Sequence, residues 1–330
     1  MPIYATQNTP SDVTYPDNTL LGSGSLSDPF KISSCLDLAS LNQARYRSGA
    51  SASKSFILTN DIDCSDTINW NDGTGFIPLD NKMLMTYYES GPLPEQYFDG
   101  NNYTITGLHT TIDSSGDNAF GLFDLLGPGA TLRNLHITNA VFTNSGGSNQ
   151  SINSIVVGTN FGTIENVSVQ GIINGVGSAG LLVGDNYGAI ERASAKGSIN
   201  IDGGGQLNGV SIGGLIAQNQ GLGGIDGIET RIENSFADVD ITSSGNSFNL
   251  TCGGLIGSGT DPGVGNTNFP VYITNTYASG NVNCLSSDFS TASGLIGSIN
   301  AANYTVTNSF ATGQVDFIKR PISRRKSFRR

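Results

Sequence analysis

The sequence predicts an all-β chain, a right-handed parallel β-helix (solenoid) with a short N-terminal capping helix. Three observations predict it: a glycine-leucine element written repeatedly, a second element built on Ile-x-Asn that follows each copy, and loops of uneven length between copies. "CGGLIGSGTD" from Cys252 has a near twin in "ASGLIGSINA" from Ala292, and looser copies read "IGGLIAQNQG" from Ile212 and "AGLLVGDNYG" from Ala179. No Walker-type lysine follows any copy and no strand–helix alternation surrounds them, so the glycines read as corners of a coil rather than a phosphate loop.

The second element reads "TLRNLHIT" at Thr131, "TIENVSVQ" at Thr163, "AIERASAK" at Ala189, "RIENSFAD" at Arg231, "YITNTYAS" at Tyr272 and "TVTNSFAT" at Thr305. Alignment stacks Leu132, Ile164, Ile190, Ile232, Ile273 and Val306 in one column. Asn134, Asn166, Asn234, Asn275 and Asn308 form another, broken by Arg192. "TITGLHTT" at Thr104 is taken as an earlier copy, which puts His109 in register with His136. Successive asparagine-column positions lie 26 to 42 residues apart. Constant anchors with variable loops suit short strands, each pairing with its equivalent one coil above and below. The segments are too short, too β-branched and too often cut by glycine for helices.

Upstream, "PFKISSCLDLASLNQARY" reads as a strand running into a short helix, with Ser34 as N-cap and Asp37 in a capping-box-like position. Such a helix covers the open end of a solenoid and shields unpaired strand edges. The expected organisation is a flexible linker over 1–28, a cap and leading strands over 29–100, the β-helix over 101–316 and a basic tail over 317–330. That tail holds seven of the sixteen Lys and Arg and no acid, leaving −18 on everything before it. It is read as disordered and outside the fold, rather than as a lipid- or nucleic-acid-binding segment.

The net charge of −11 argues against nucleic acid as a partner. No run of 18 apolar residues exists, so no membrane span is expected. "MPIYATQNTP" lacks the basic and apolar regions of a secretory signal; export is expected to have used a leader outside this chain. The four cysteines show no Cys-x-x-Cys spacing. Two disulfides in an oxidising compartment, Cys35–Cys64 and Cys252–Cys284, are expected instead of zinc.

The pairing of "GGLIG" with "ITNTYASG" or "VTNSFATG" resembles the GLUG-motif repeat of bacterial and archaeal surface proteins. That repeat is also found beside the catalytic part of some immunoglobulin-A-cleaving metallopeptidases. The resemblance covers about residues 100–316 and is most specific in the last three coils; "SIVVG" replaces the glycine-leucine start at Ser154. It implies an extracellular β-helix used for adhesion or display, and no chemistry. The peptidases' zinc-binding His-Glu-x-x-His is absent from this sequence.

Several residues invite a chemical reading. Glu165, Glu191 and Glu233 share a column with Arg133. Carboxylates one coil apart match the separation used by retaining glycosidases, although an exposed ladder relieved by Arg133, Arg192 and Arg231 is the preferred reading. Phe236, Tyr277 and Phe310 form an aromatic column suited to sugar rings if it faces out. Alternation leaves the facing open, and an internal stack is favoured because large exposed apolar strips are uncommon. His109 and His136 read as a stacked polar pair, not a metal site. Ser211 in "GVSIG" matches a nucleophile elbow but has no histidine after it. "NDIDCSDTINWND" begins like a calcium loop, yet its glycine position holds Asp66 and its twelfth residue is Asp72, so a strand-end turn is favoured over Ca2+. No other cofactor is expected.

The sequence therefore points to a secreted or cell-surface adhesion or display module that binds glycan or a host or cell-surface protein. It is expected to be a monomer or part of a longer chain. A polysaccharide hydrolase or lyase using the glutamate column, and a stalk without a ligand, are the alternatives.

Overall fold

The structure is a computed structural model. It describes residues 19–46, 54–79, 95–113, 119–146, 151–203, 209–221, 230–245, 249–260, 270–286, 290–300 and 303–319. Every ladder between its strands is parallel, and each coil from Gln96 onward contributes to three sheets: one of 18 strands and two of six. This is a parallel β-helix.

The β-branched column predicted from the sequence runs unbroken through the large sheet. Leu132 pairs with Ile164, Ile164 with Ile190, Ile190 with Ile232, Ile232 with Ile273 and Ile273 with Val306. Pairing also continues upstream, through Phe98, Phe56 and Phe30. The cap region over 29–100 thus already supplies rungs of the solenoid. Aromatic rings 4.9 to 6.3 Å apart, from Phe30 through Phe56 and Phe98 to Phe123, fill the interior at this end. The first five aliphatic members of the column are wholly buried, each worth about 2 kcal/mol of apolar burial. Val306, in the final coil, is 40% exposed.

The glycine-leucine element makes the two small sheets. In one coil Thr251–Gly253 and Ile256–Thr260 belong to different sheets and are joined by Gly254 and Leu255 alone. The turn folds one strand back onto its neighbour, so the backbones approach without room for a side chain. A Cβ on Gly253 would lie 2.0 Å from the Ile256 carbonyl oxygen and 2.5 Å from the Gly297 nitrogen. Leu255, fully buried, points the other way into the core.

At the N-terminal end the helix Cys35–Ser40 packs Leu38 into the interior, with Leu41 just after it. Ser34 Oγ accepts from the Asp37 backbone N–H at 3.1 Å. The Asp37 carboxylate reaches one residue further back than a capping box, accepting from the Ser33 N–H and hydroxyl. Cys35 is disulfide-bonded to Cys64, tying this helix to the next rung, and Cys252 to Cys284, joining a small sheet to the large one across the core. Residues 19–28 pack on this cap rather than forming a loose linker: the Leu20 N–H donates to Tyr46 Oη, and Tyr97 Oη donates to the Leu26 carbonyl. The last strand, Val315–Lys319, extends beyond the expected start of the tail. Residues 320–330 of that tail and residues 1–18 lie outside the described residues. Among the described residues no helix is long and apolar enough to cross a membrane.

Candidate functional site

The outer face of the large sheet gathers most of the residues singled out by the sequence. It is organised by the asparagine corner. Asn134, Asn166, Asn234, Asn275 and Asn308 all hold φ between 50° and 55°, a left-handed conformation that asparagine tolerates better than most residues. Their amides bond along the axis, Asn166 to Asn134 at 3.0 Å and Asn275 to Asn234 at 3.1 Å. Arg192 takes the same conformation, φ 53°, without an amide to continue the ladder. Its guanidinium instead contacts both Glu165 and Glu191.

Glu165, Glu191 and Glu233 do lie in one column on successive coils, facing outward because Ile164, Ile190 and Ile232 face in. Arg192 balances the first two, and the Arg192 and Glu165 side chains are 47% and 41% exposed. Arg133 turns away from the glutamates, toward the preceding member of the same column: its Nε donates to Asp99 Oδ2 at 2.8 Å.

Phe236, Tyr277 and Phe310 stack coil on coil, with centroids 4.8 and 5.5 Å apart and planes within 10°. The favoured internal stack is corrected by the structure. Ala237 and Ala278 are wholly buried, while Phe236 and Tyr277 are partly exposed and Phe310 is 56% exposed. The reason is the width of the core here. The Ala237 and Ala278 methyls face Gly214 and Gly254 so closely that a Cβ on either glycine would sit 3.0 Å from them. Nothing larger than alanine fits between the sheets, and the aromatic neighbours turn outward. Since stacked rings use their faces on one another, the ring faces left for a ligand are those at the ends of the stack. Beyond Phe236 the same column holds Ser194, then Ser168, then His136. Two small serines in succession thus separate the Phe236 ring from the His136 ring along the column.

His109 and His136 do not share a column. Thr104 opposes His136, and His109 opposes Val141, five residues further on. Gly107 at φ 74° mimics the asparagine corner, but the true corner of that coil is at Asn101 and Asn102, both also left-handed. His136 Nδ1 bonds Ser168 Oγ at 2.8 Å instead. Ser211 is buried in a short strand, its hydroxyl 2.8 Å from that of Ser258, with no turn into a helix. Asp61, Asp63 and Asp66 hold separate turns, bonding the Thr104 N–H, the Ser65 N–H and the Asn69 amide. The Ser65 hydroxyl and N–H hold the Asp63 carboxyl below its ordinary range. Among the described residues no three His, Cys, Asp or Glu side chains come together to hold a metal ion.

The sequence reading missed a second asparagine ladder, inside the solenoid. Asn160 donates to Asn186 and Asn186 to Asn219, both at 2.7 Å, and all three are wholly buried. Beside it Phe161 stacks on Tyr187 at 4.7 Å. The signal was present: "GTNFG" at Gly158 recurs as "GDNYG" at Gly184. Asp185 lies next to this ladder. Burial pushes its carboxyl up to about 6, against a hydrogen bond from Gln220, and burial with the Asp185 charge pushes the Tyr187 phenol up to about 12.

No protein-family model matches the chain. Over 164 residues, 49% of the chain, it is 35% identical to halomucin of Haloquadratum walsbyi. Those residues are 2% of that protein's length, so the chain spans a small part of the curated relative it matches. Among solved structures it is similar to a Bacteroides ovatus protein described as a "putative immunoglobulin A1 protease". The TM-score is 0.63 at 20% identity, covering 92% of this chain and 81% of that one. That likeness shows the fold.

Proposed function

We propose that this chain is a GLUG-type β-helix module of the cell surface or extracellular space that binds glycan through the outer face of its large sheet. The observation that carries this reading is the outward aromatic column ending at Phe236, next to the small hydroxyl residues Ser194 and Ser168 of the same column. An apolar ring face next to hydroxyls and charged groups suits a sugar ring, which has an apolar face and a polar rim. Two disulfides and the partial likeness to halomucin support an extracellular setting. Protein ligands remain the second class of partner for the same face. The glutamate column is better suited to solubility and charge balance than to hydrolysis, because Arg192 is shared by Glu165 and Glu191 on an outer, solvent-facing surface.

The test is a panel of soluble polysaccharides assayed for binding and for release of reducing ends. Binding without turnover, weakened about tenfold by Phe236→Ala, is expected, in line with the loss of one stacked ring. Turnover abolished by Glu191→Gln would establish the enzyme in its place.

A further inference from the structure

A cleft of about 480 Å³ opens where the cap meets the first full coil, lined among others by Glu95, Tyr97, Thr131, Arg133 and Thr163. Its floor is another outward column, in which Tyr97, Thr131 and Thr163 occupy equivalent places on successive rungs. Its walls are held in place from behind. Tyr97 Oη is anchored on the Leu26 carbonyl at 2.8 Å, and the Arg133 guanidinium lies over the Tyr97 ring, 4.5 Å from its centroid. Asp99, only 12% exposed, takes the Arg133 Nε and is itself fixed by the Asn134 amide and the Asn101 N–H.

This arrangement clamps the arginine at its stem and leaves its two terminal nitrogens as donors in a cleft that it lines. The hydroxyls of Thr131 and Thr163 make no hydrogen bond among the described residues. Glu95 adds an exposed acceptor. A pre-positioned guanidinium alone suits a carboxylate or phosphate. Here Asp99 already balances its charge and Glu95 adds another negative group, so the cleft as a whole repels anions. What remains is a set of mixed donors and acceptors without net positive charge, and that is the complement of neighbouring sugar hydroxyls.

We propose that this cleft is a binding site for a neutral saccharide residue, with the Arg133 guanidinium and the Thr131 and Thr163 hydroxyls as its contacts. It lies three rungs from Phe236 along the column Arg133, Glu165, Glu191, Glu233, so it extends the glycan-binding reading to a second place and does not depend on the aromatic column.

The experiment is calorimetric titration of the whole chain with neutral hexasaccharides of glucose, mannose and xylose, and with trigalacturonate as the carboxylate-bearing probe. The double variant Thr131→Val/Thr163→Val keeps the size and strand preference of both side chains, and a thermal melt confirms that it folds. Arg133→Lys keeps the charge and loses the fork. A neutral hexasaccharide is expected to bind, with affinity falling about tenfold in each variant, as two lost hydrogen bonds or a lost bidentate contact would give. In Phe236→Ala, which removes the aromatic site, a residual binding is expected to remain and to fall by the same factor when either cleft variant is added. Equal affinity in wild type and the double variant, binding of trigalacturonate alone, or no binding at millimolar sugar overturns the cleft assignment. Binding that survives the threonine variant but is lost in Phe236→Ala overturns the cleft and leaves the aromatic reading standing.

Discussion

Replacing Asn186 by leucine should destabilise the solenoid more than replacing the whole ladder to which it belongs. The side chain is wholly buried; its Oδ1 accepts from Asn160, and its Nδ2 donates to Asn219 and, longer at 3.3 Å, to the Gly188 carbonyl. Leucine, nearly the same size, removes these bonds and strands the Asn160 Nδ2 and the Asn219 Oδ1 in the core. Each stranded group costs about 1–3 kcal/mol, so about 2–6 in total, and burying the leucine returns about 2. A net loss near 2 kcal/mol follows. In the triple variant Asn160→Leu/Asn186→Leu/Asn219→Leu those stranded groups vanish together. The column already accepts leucine, since Leu126 pairs with Asn160. The Gly162 N–H, now bonded to Asn160 Oδ1 at 3.0 Å, and the Gly188 carbonyl, which takes Asn186 Nδ2 at 3.3 Å, lose these partners. Tyr304 Oη keeps its backbone acceptor, the Asn219 carbonyl. Urea unfolding read at constant m, with amide exchange at Gly162 as the local probe, measures both variants. A single variant that melts with the wild type, or a triple variant whose loss equals three single losses added, would refute the reasoning.

Other perturbations test other parts of the fold. Gly253→Ala places a methyl against the Ile256 carbonyl oxygen at 2.0 Å and should cost several kcal/mol or prevent folding, read as lost soluble yield or a lower thermal midpoint; an unchanged midpoint would contradict the close strand fold-back. Cys252→Ala/Cys284→Ala opens a loop of 32 residues and should lower stability by about 3–4 kcal/mol in the chain-entropy model, read by denaturant midpoint against the oxidised wild type. Asp185 gives a pH dependence of defined sign. Its folded carboxyl at about 6 binds protons more tightly than the unfolded one near 3.8, so stability falls as pH rises between those values. Asp185→Asn should therefore stabilise the protein at pH 7 by at most about 3 kcal/mol and change nothing at pH 3, read from melts across that range.

The β-helix and its register were legible because the same local physics is repeated in every coil. An inward β-branched residue, a left-handed corner that asparagine tolerates, and a glycine at a backbone crossing leave marks that survive loops of unequal length. The same repetition misled where one residue imitates another. Gly107 satisfies the left-handed requirement as well as asparagine does, and the histidine alignment slipped by five residues because of it.

What the tertiary structure alone decided was distance between segments remote in sequence. The aromatic column turns outward because Gly214 and Gly254, from the opposite wall, press on Ala237 and Ala278. Alternation says that neighbours face opposite ways, but not which set the core is wide enough to accept. Arg133 chose Asp99 over Glu165 for a similar reason. Both acids are its neighbours, one rung below and one above, and Asp99 is the one locked in place by other donors. Sequence periodicity fixes which residues are neighbours in this solenoid. The width of the core and the competition among neighbours fix which of them meet, and the candidate sites depend on the second.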